Sequence, residues 1–142
     1  MTGGDNATYA QLNSFTSIAK TRVENSLATL DAAIQPLRDE HQLKLDAYRD
    51  WLVQLLDVEF EVHRYEALAA EGQDVAAQLA QWQQTYNDKK NTEGPPLKQA
   101  IEDADAAIDA AIKARADANY YIAYMDEELR VLNDYKTAWQ TT

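Results

Sequence analysis

The sequence predicts an all-α protein: a long antiparallel helical hairpin or an elongated helical bundle, coiled-coil-like in its packing. Three observations carry that. Leu97 to Thr141 contains no Pro or Gly, and its apolar residues recur in alternating steps of three and four, the spacing of a heptad seam on a helix. The 142-residue chain has only four Gly and three Pro, too few for an all-β fold rich in tight turns. Much of its 46% hydrophobic content is Ala, which favours helix but supplies little buried area.

Met1 to Asp5 read as a flexible lead, with Asp5 or Asn6 placed to cap a first helix over about 6–35. Apolar positions of that helix include Leu12, Phe15, Ala19, Val23, Leu27, Leu30 and Ile34. Pro36 lacks an N–H and crowds the carbonyl of residue 32. The stripe nevertheless crosses it in phase, through Leu30, Ile34, Leu37, His41, Leu45, Tyr48, Leu52 and Leu55. This predicts a kink, or two helices meeting end to end, rather than a reversing loop. The second helix, about 37–71, carries the most hydrophobic patch, from Trp51 to Leu56. Leu56 to Val62 alternates apolar and acidic residues as a strand would, but no partner strand is in sight, so helix is expected there too.

Gly72 suits the left-handed position after a helix, and Asp74 suits the N-cap of the next. That third helix, about 74–90, places Val75, Leu79, Trp82 and Tyr86 on one face. Lys89 and Lys90 would complement the negative end of its dipole. Asn91 to Pro96 predicts a second turn, with Pro96 in the first turn of the last helix, about 97–141. The seam of that helix runs through Ile101, Ala104, Ile108, Ala111, Ala118, Ile122, Met125, Leu129, Leu132 and Trp139, with Arg115 and Lys136 in the two remaining places. Residues 6–142 are thus expected to form one helical domain. The last helix would span about 67 Å, whereas a compact globule of this size has a radius of gyration of about 14–15 Å. An elongated molecule is expected, with seam ends left for a partner.

Chemistry-bearing patterns are scarce. Of two histidines, neither completes a Glu-x-x-His, because position 38 is Arg and position 60 is Phe; a bundle-borne di-iron site needs two such motifs. Glu59 and His63, one turn apart, read as a surface pair. Acids at 102, 103, 105 and 109 and at 126–128 read as solvated helix face, since adjacent helical positions do not converge on one ion. There is no Cys, hence no thiolate chemistry or Cys-held metal. No catalytic residue, metal ligand or cofactor is therefore expected, and no enzyme activity.

The net charge of −11 disfavours nucleic acid and anionic membrane surfaces. The longest apolar run, Tyr120 to Met125, is far short of a transmembrane span, and the N-terminal residues do not resemble a secretory signal. A soluble intracellular protein, or one assembled into a particle such as a virion, is expected. Aromatics are more informative. Tyr120, Tyr121 and Tyr124 fall within little more than one turn, and Tyr120 and Tyr124 lie off the seam. Packing against the chain's own third helix or kinked arm, or contact with another subunit, would suit them. Candidate seam or interface residues are therefore Ile101, Ile108, Tyr120, Tyr121, Ile122, Tyr124, Met125, Leu129, Leu132 and Trp139. The function these features predict is a structural or assembly protein working through self-association or contact with other subunits, by analogy with accessory pieces of large assemblies such as tailed-phage virions. The alternative is an acidic adaptor, chaperone or DNA-mimic-like inhibitor for a basic partner protein.

Overall fold

The computed structural model describes the backbone of residues 3–141 and the side chains of residues 8–138. The fold is an all-α antiparallel hairpin in which two long helices pack together. Helix α1 is Gly3–Ala70, α2 is Ala76–Asp88, a π-helical segment covers Lys89–Glu93, and α3 is Gly94–Thr141. The chain divides into two compact units, Met1–Pro36 with Ile108–Thr142, and Leu37–Ala107.

In the first unit, α1 and α3 run antiparallel. Three cross-helix pairs define the register: Tyr9 with Tyr135, Lys20 with Asp126, and Asp31 with Arg115. Their residue numbers add to 144 or 146, so each residue gained on one helix is one lost on the other. Ile34, Ile108, Ala111, Ala118 and Met125 are buried. Steps of three and four therefore place one stripe of each helix on the other, as heptad packing requires. Arg115 occupies a seam position without entering a dry core: its side chain stays 38% exposed and the guanidinium reaches Asp31 at 3.7 Å.

Residues 3–5, expected as a flexible lead, belong to α1; Met1 and Thr2, and the side chains of Asp5 and Asn6, lie outside the described residues. The expected boundary at Pro36 is also absent. Pro36 sits inside one continuous helix of 68 residues. Ala32 and Pro36 both face solvent, so water can reach the Ala32 carbonyl that Pro36 cannot serve.

In the second unit, α1 ends at a Schellman motif. Gly72 takes φ 88°, Gly72 N–H donates to the Ala69 carbonyl, and Gln73 N–H donates to the Leu68 carbonyl. The expected cap at Asp74 does not form. Val75 is the N-cap of α2, and it makes no side-chain capping bond. Leu56 to Val62, strand-like in pattern, is helical: its apolar residues Val58 and Val62 are buried, and Leu56 and Phe60 are exposed.

The expected turn at 91–96 is the largest correction. The chain stays helical from Ala76 to Thr141, widening to a π turn over Lys89–Glu93 before α3 begins at Gly94. Gly94 N–H donates to the Lys89 carbonyl, five residues back. In an ordinary α-turn the rings of Pro95 and Pro96 would press on the carbonyls of residues 91 and 92. A π turn adds one residue and opens that space. The inward stripe records the insertion. It runs 75, 79, 82, 86, 89, then steps five to 94, and resumes 97, 101, 104 and 108. Lys89 and Lys90 accordingly lie within a continuous arm instead of at a helix end.

Candidate interaction surface

The candidate residues separate into two groups. Ile108 and Met125 are buried, and Ile101, Ile122, Leu129 and Leu132 are partly covered. These belong to the internal packing of the chain. The described part of the seam from Ile101 to Leu132 is therefore covered within the chain, whereas Lys136 towards its far end is exposed. The side chain of Trp139 lies outside the described residues.

Tyr120 and Tyr124 form the second group, exposed at 68% and 60%, with Tyr121 beside them also exposed. Their exposure does not match the expectation of rings packed within the chain, against its third helix or kinked arm. The Tyr120 and Tyr121 rings meet edge to face with centroids 5.8 Å apart, a favourable quadrupolar arrangement. Further along α3, Val131 and Tyr135 are exposed as well. The steps 120, 124, 131, 135 repeat as four, seven, four, so these four side chains share a second face of the helix.

On α1 the same unit exposes Leu12, Phe15 and Ile18. Leu12 and Phe15 were expected on the inner stripe. Val23 and Leu27 do face inward as expected, but Ala19 is also exposed, and Thr16 and Lys20 take the inward places ahead of Val23. The signal was available: counting back from Ile34 in alternating steps of four and three gives Leu30, Leu27, Val23, Lys20 and Thr16. Lys20 is tolerated there because its ammonium reaches Asp126 at 2.6 Å. That hydrogen bond raises the Lys20 pKa, with smaller contributions from the Asp126 and Glu24 charges.

Around each helix axis, at about 100° per residue, the exposed apolar residues of both helices lie on one flank of this helix pair. The cross-helix ion pairs Lys20–Asp126 and Asp31–Arg115 lie on the other. Arg130, bonded to Glu127 and Asp134 at 2.5 and 2.7 Å, also falls on that charged side.

In the second unit, Val53, Leu56 and Phe60 form a shorter exposed stripe on α1. A shallow groove there is lined by Glu59, Val62, His63, Glu66, Gln83, Tyr86 and Asn87. His63 lies 3.3 Å from Glu66 and 3.5 Å from Glu59. Bonding to Glu66 first, and to Glu59 second, raises the imidazole pKa. Among the described residues no group of three His, Cys, Asp or Glu side chains is placed to hold a metal ion, and no helix is long and apolar enough to cross a membrane. Comparison with known protein families, with curated proteins and with solved structures gives no match.

Proposed function

We propose that the chain is a non-enzymatic structural or assembly protein that works by helix packing as a subunit of a larger protein oligomer, a virion component being one such setting. The supporting observation is the aromatic and aliphatic flank of the first unit. Its large side chains stand off the filled seams of regular helices, and apart from Tyr135, which meets Tyr9, they leave much of their surface to solvent. Contiguous exposed apolar surface of this kind serves association between proteins. The acidic-adaptor alternative is less well supported, because acids on the charged flank are engaged by Lys20, Arg115 and Arg130 within the same chain.

The test is light scattering on a sizing column at low salt and at about 1 M salt, since salt screens charge attraction but strengthens apolar contact. A mass above 16.0 kDa that persists or grows at high salt is the expected result. A single-chain mass at every concentration and salt would overturn the reading.

A further inference from the structure

We infer that the apolar flank of the first unit is covered by the same flank of a second copy of this chain, related by a two-fold axis, so that two helix pairs close into a four-helix layer. The inference rests on the assembly reading above and deepens it by naming the surface and its occupant. Phe15 and Ile18 on α1, and Tyr120, Tyr124, Val131 and Tyr135 on α3, are all exposed. They lie on one side of the antiparallel pair. In the register set by Lys20–Asp126 and Tyr9–Tyr135, Phe15 and Ile18 are level with the stretch of α3 between Tyr124 and Tyr135. The two rows therefore make one continuous patch.

Area and charge both favour a second copy. Phe15 is 66% exposed, and the other five range from 42% for Val131 to 68% for Tyr120. With roughly 150–250 Å² for an aromatic side chain and somewhat less for an aliphatic one, the six present on the order of 700 Å². A standard interface uses about 800 Å² per partner. The chain as a whole carries −11, so two copies repel unless they meet where charge cancels. On this flank the helical positions bring Arg22 and Lys113 together with Asp117 and Glu128, and Glu127 and Asp134, at seven-residue steps from Lys113 and Tyr120, border it bonded to Arg130. With Glu127 and Asp134 already bonded to Arg130, this flank offers little to a basic partner, and a like copy would meet it mainly through its exposed apolar side chains. A two-fold interface is self-complementary by construction, and salt, by screening the remaining repulsion, should tighten it.

The experiment is sedimentation equilibrium on the full chain and on Phe15→Glu, Tyr124→Glu and Phe60→Glu, with helix content checked by circular dichroism. All three positions are exposed on helices, so the substitutions should leave the fold intact. The expected result is a wild-type dimer whose dissociation constant rises at least tenfold in Phe15→Glu and in Tyr124→Glu and stays within about twofold in Phe60→Glu. Two helical flank variants that dimerise like wild type would overturn this inference while leaving the assembly reading in place on another surface. Loss of association in Phe60→Glu alone would reassign the interface to the second unit. A wild-type chain that is monomeric throughout would remove both readings.

Discussion

The indole of Trp51 lies on the backbone at Gly94: a β-carbon built there would stand 2.9 Å from Trp51 Cη2 and 3.2 Å from Cζ2. Trp51 is only 7% exposed, and its Nε1 has no hydrogen-bond partner. Gly94 itself has ordinary helical angles, φ −63° and ψ −52°, so glycine is needed there for space and not for backbone freedom. The π turn just before it sets the phase that brings Gly94 inward. Gly94→Ala should therefore destabilise by about 1–3 kcal/mol through overpacking, although Ala normally gains up to about 1 kcal/mol over Gly in a helix. In a Trp51→Leu background the same change should become neutral or stabilising. A double-mutant cycle by urea unfolding checks both signs.

Gly72 is the opposite case. Nothing lies within 4 Å of its missing β-carbon, but its φ is +88°. Gly72→Ala should cost about 1–2 kcal/mol through left-handed backbone strain, and Gly72→Asn should cost less. No second-site change at a neighbouring side chain should rescue Gly72→Ala. Unfolding midpoints of the two variants, with and without such a change, distinguish strain from a clash.

Pro36 interrupts the hydrogen bonding of a helix whose stripe is unbroken on both sides. Its solvent-facing position allows replacement without repacking. Pro36→Ala should raise stability, by up to the ~3 kcal/mol that proline costs in a helix interior. A melting temperature equal to or below wild type would show that the proline is accommodated at no cost.

His63 links stability to pH. Bonding to Glu66 and Glu59 lifts its pKa above the usual 6.5. A raised folded-state value means that the stabilisation is complete below the unfolded pKa and disappears as pH climbs through the folded one. The cluster is exposed, so the effect is small. Between about pH 6 and pH 8, the urea midpoint of wild type should fall more than that of His63→Gln. Parallel slopes in the two proteins would remove His63 from the account.

Helical class was legible because it follows from the three–four spacing, which is a local property of the chain; the direction of pairing does not follow from that spacing. The Gly72 reversal was legible for the same reason. Asn91 to Pro96 was misread because Gly and two prolines are strong local breakers. Here the gain from continuing the seam on both sides, with Trp51 seated on Gly94, outweighs them. Phe15 illustrates a different limit. Two overlapping periodic stripes pass through residues 12–23, and hydrophobicity alone favours the one with the larger side chains. The register with α3 selects the other. The Tyr120–Tyr124 strip was visible as a face off the seam, but its exposure depended on which face of α3 the register with α1 covers, which is a tertiary fact.

The most direct test of the central claim, that the seam is closed within one chain while the tyrosine flank is covered between chains, is hydroxyl-radical footprinting across a concentration series. Each residue's rate is compared with its own rate in the unfolded chain. Met125 should be protected at every concentration. Tyr120, Tyr124 and Tyr135 should label freely when dilute and become protected as the protein is concentrated. Tyrosine rates that never change with concentration, or a Met125 that is open when dilute, would contradict it.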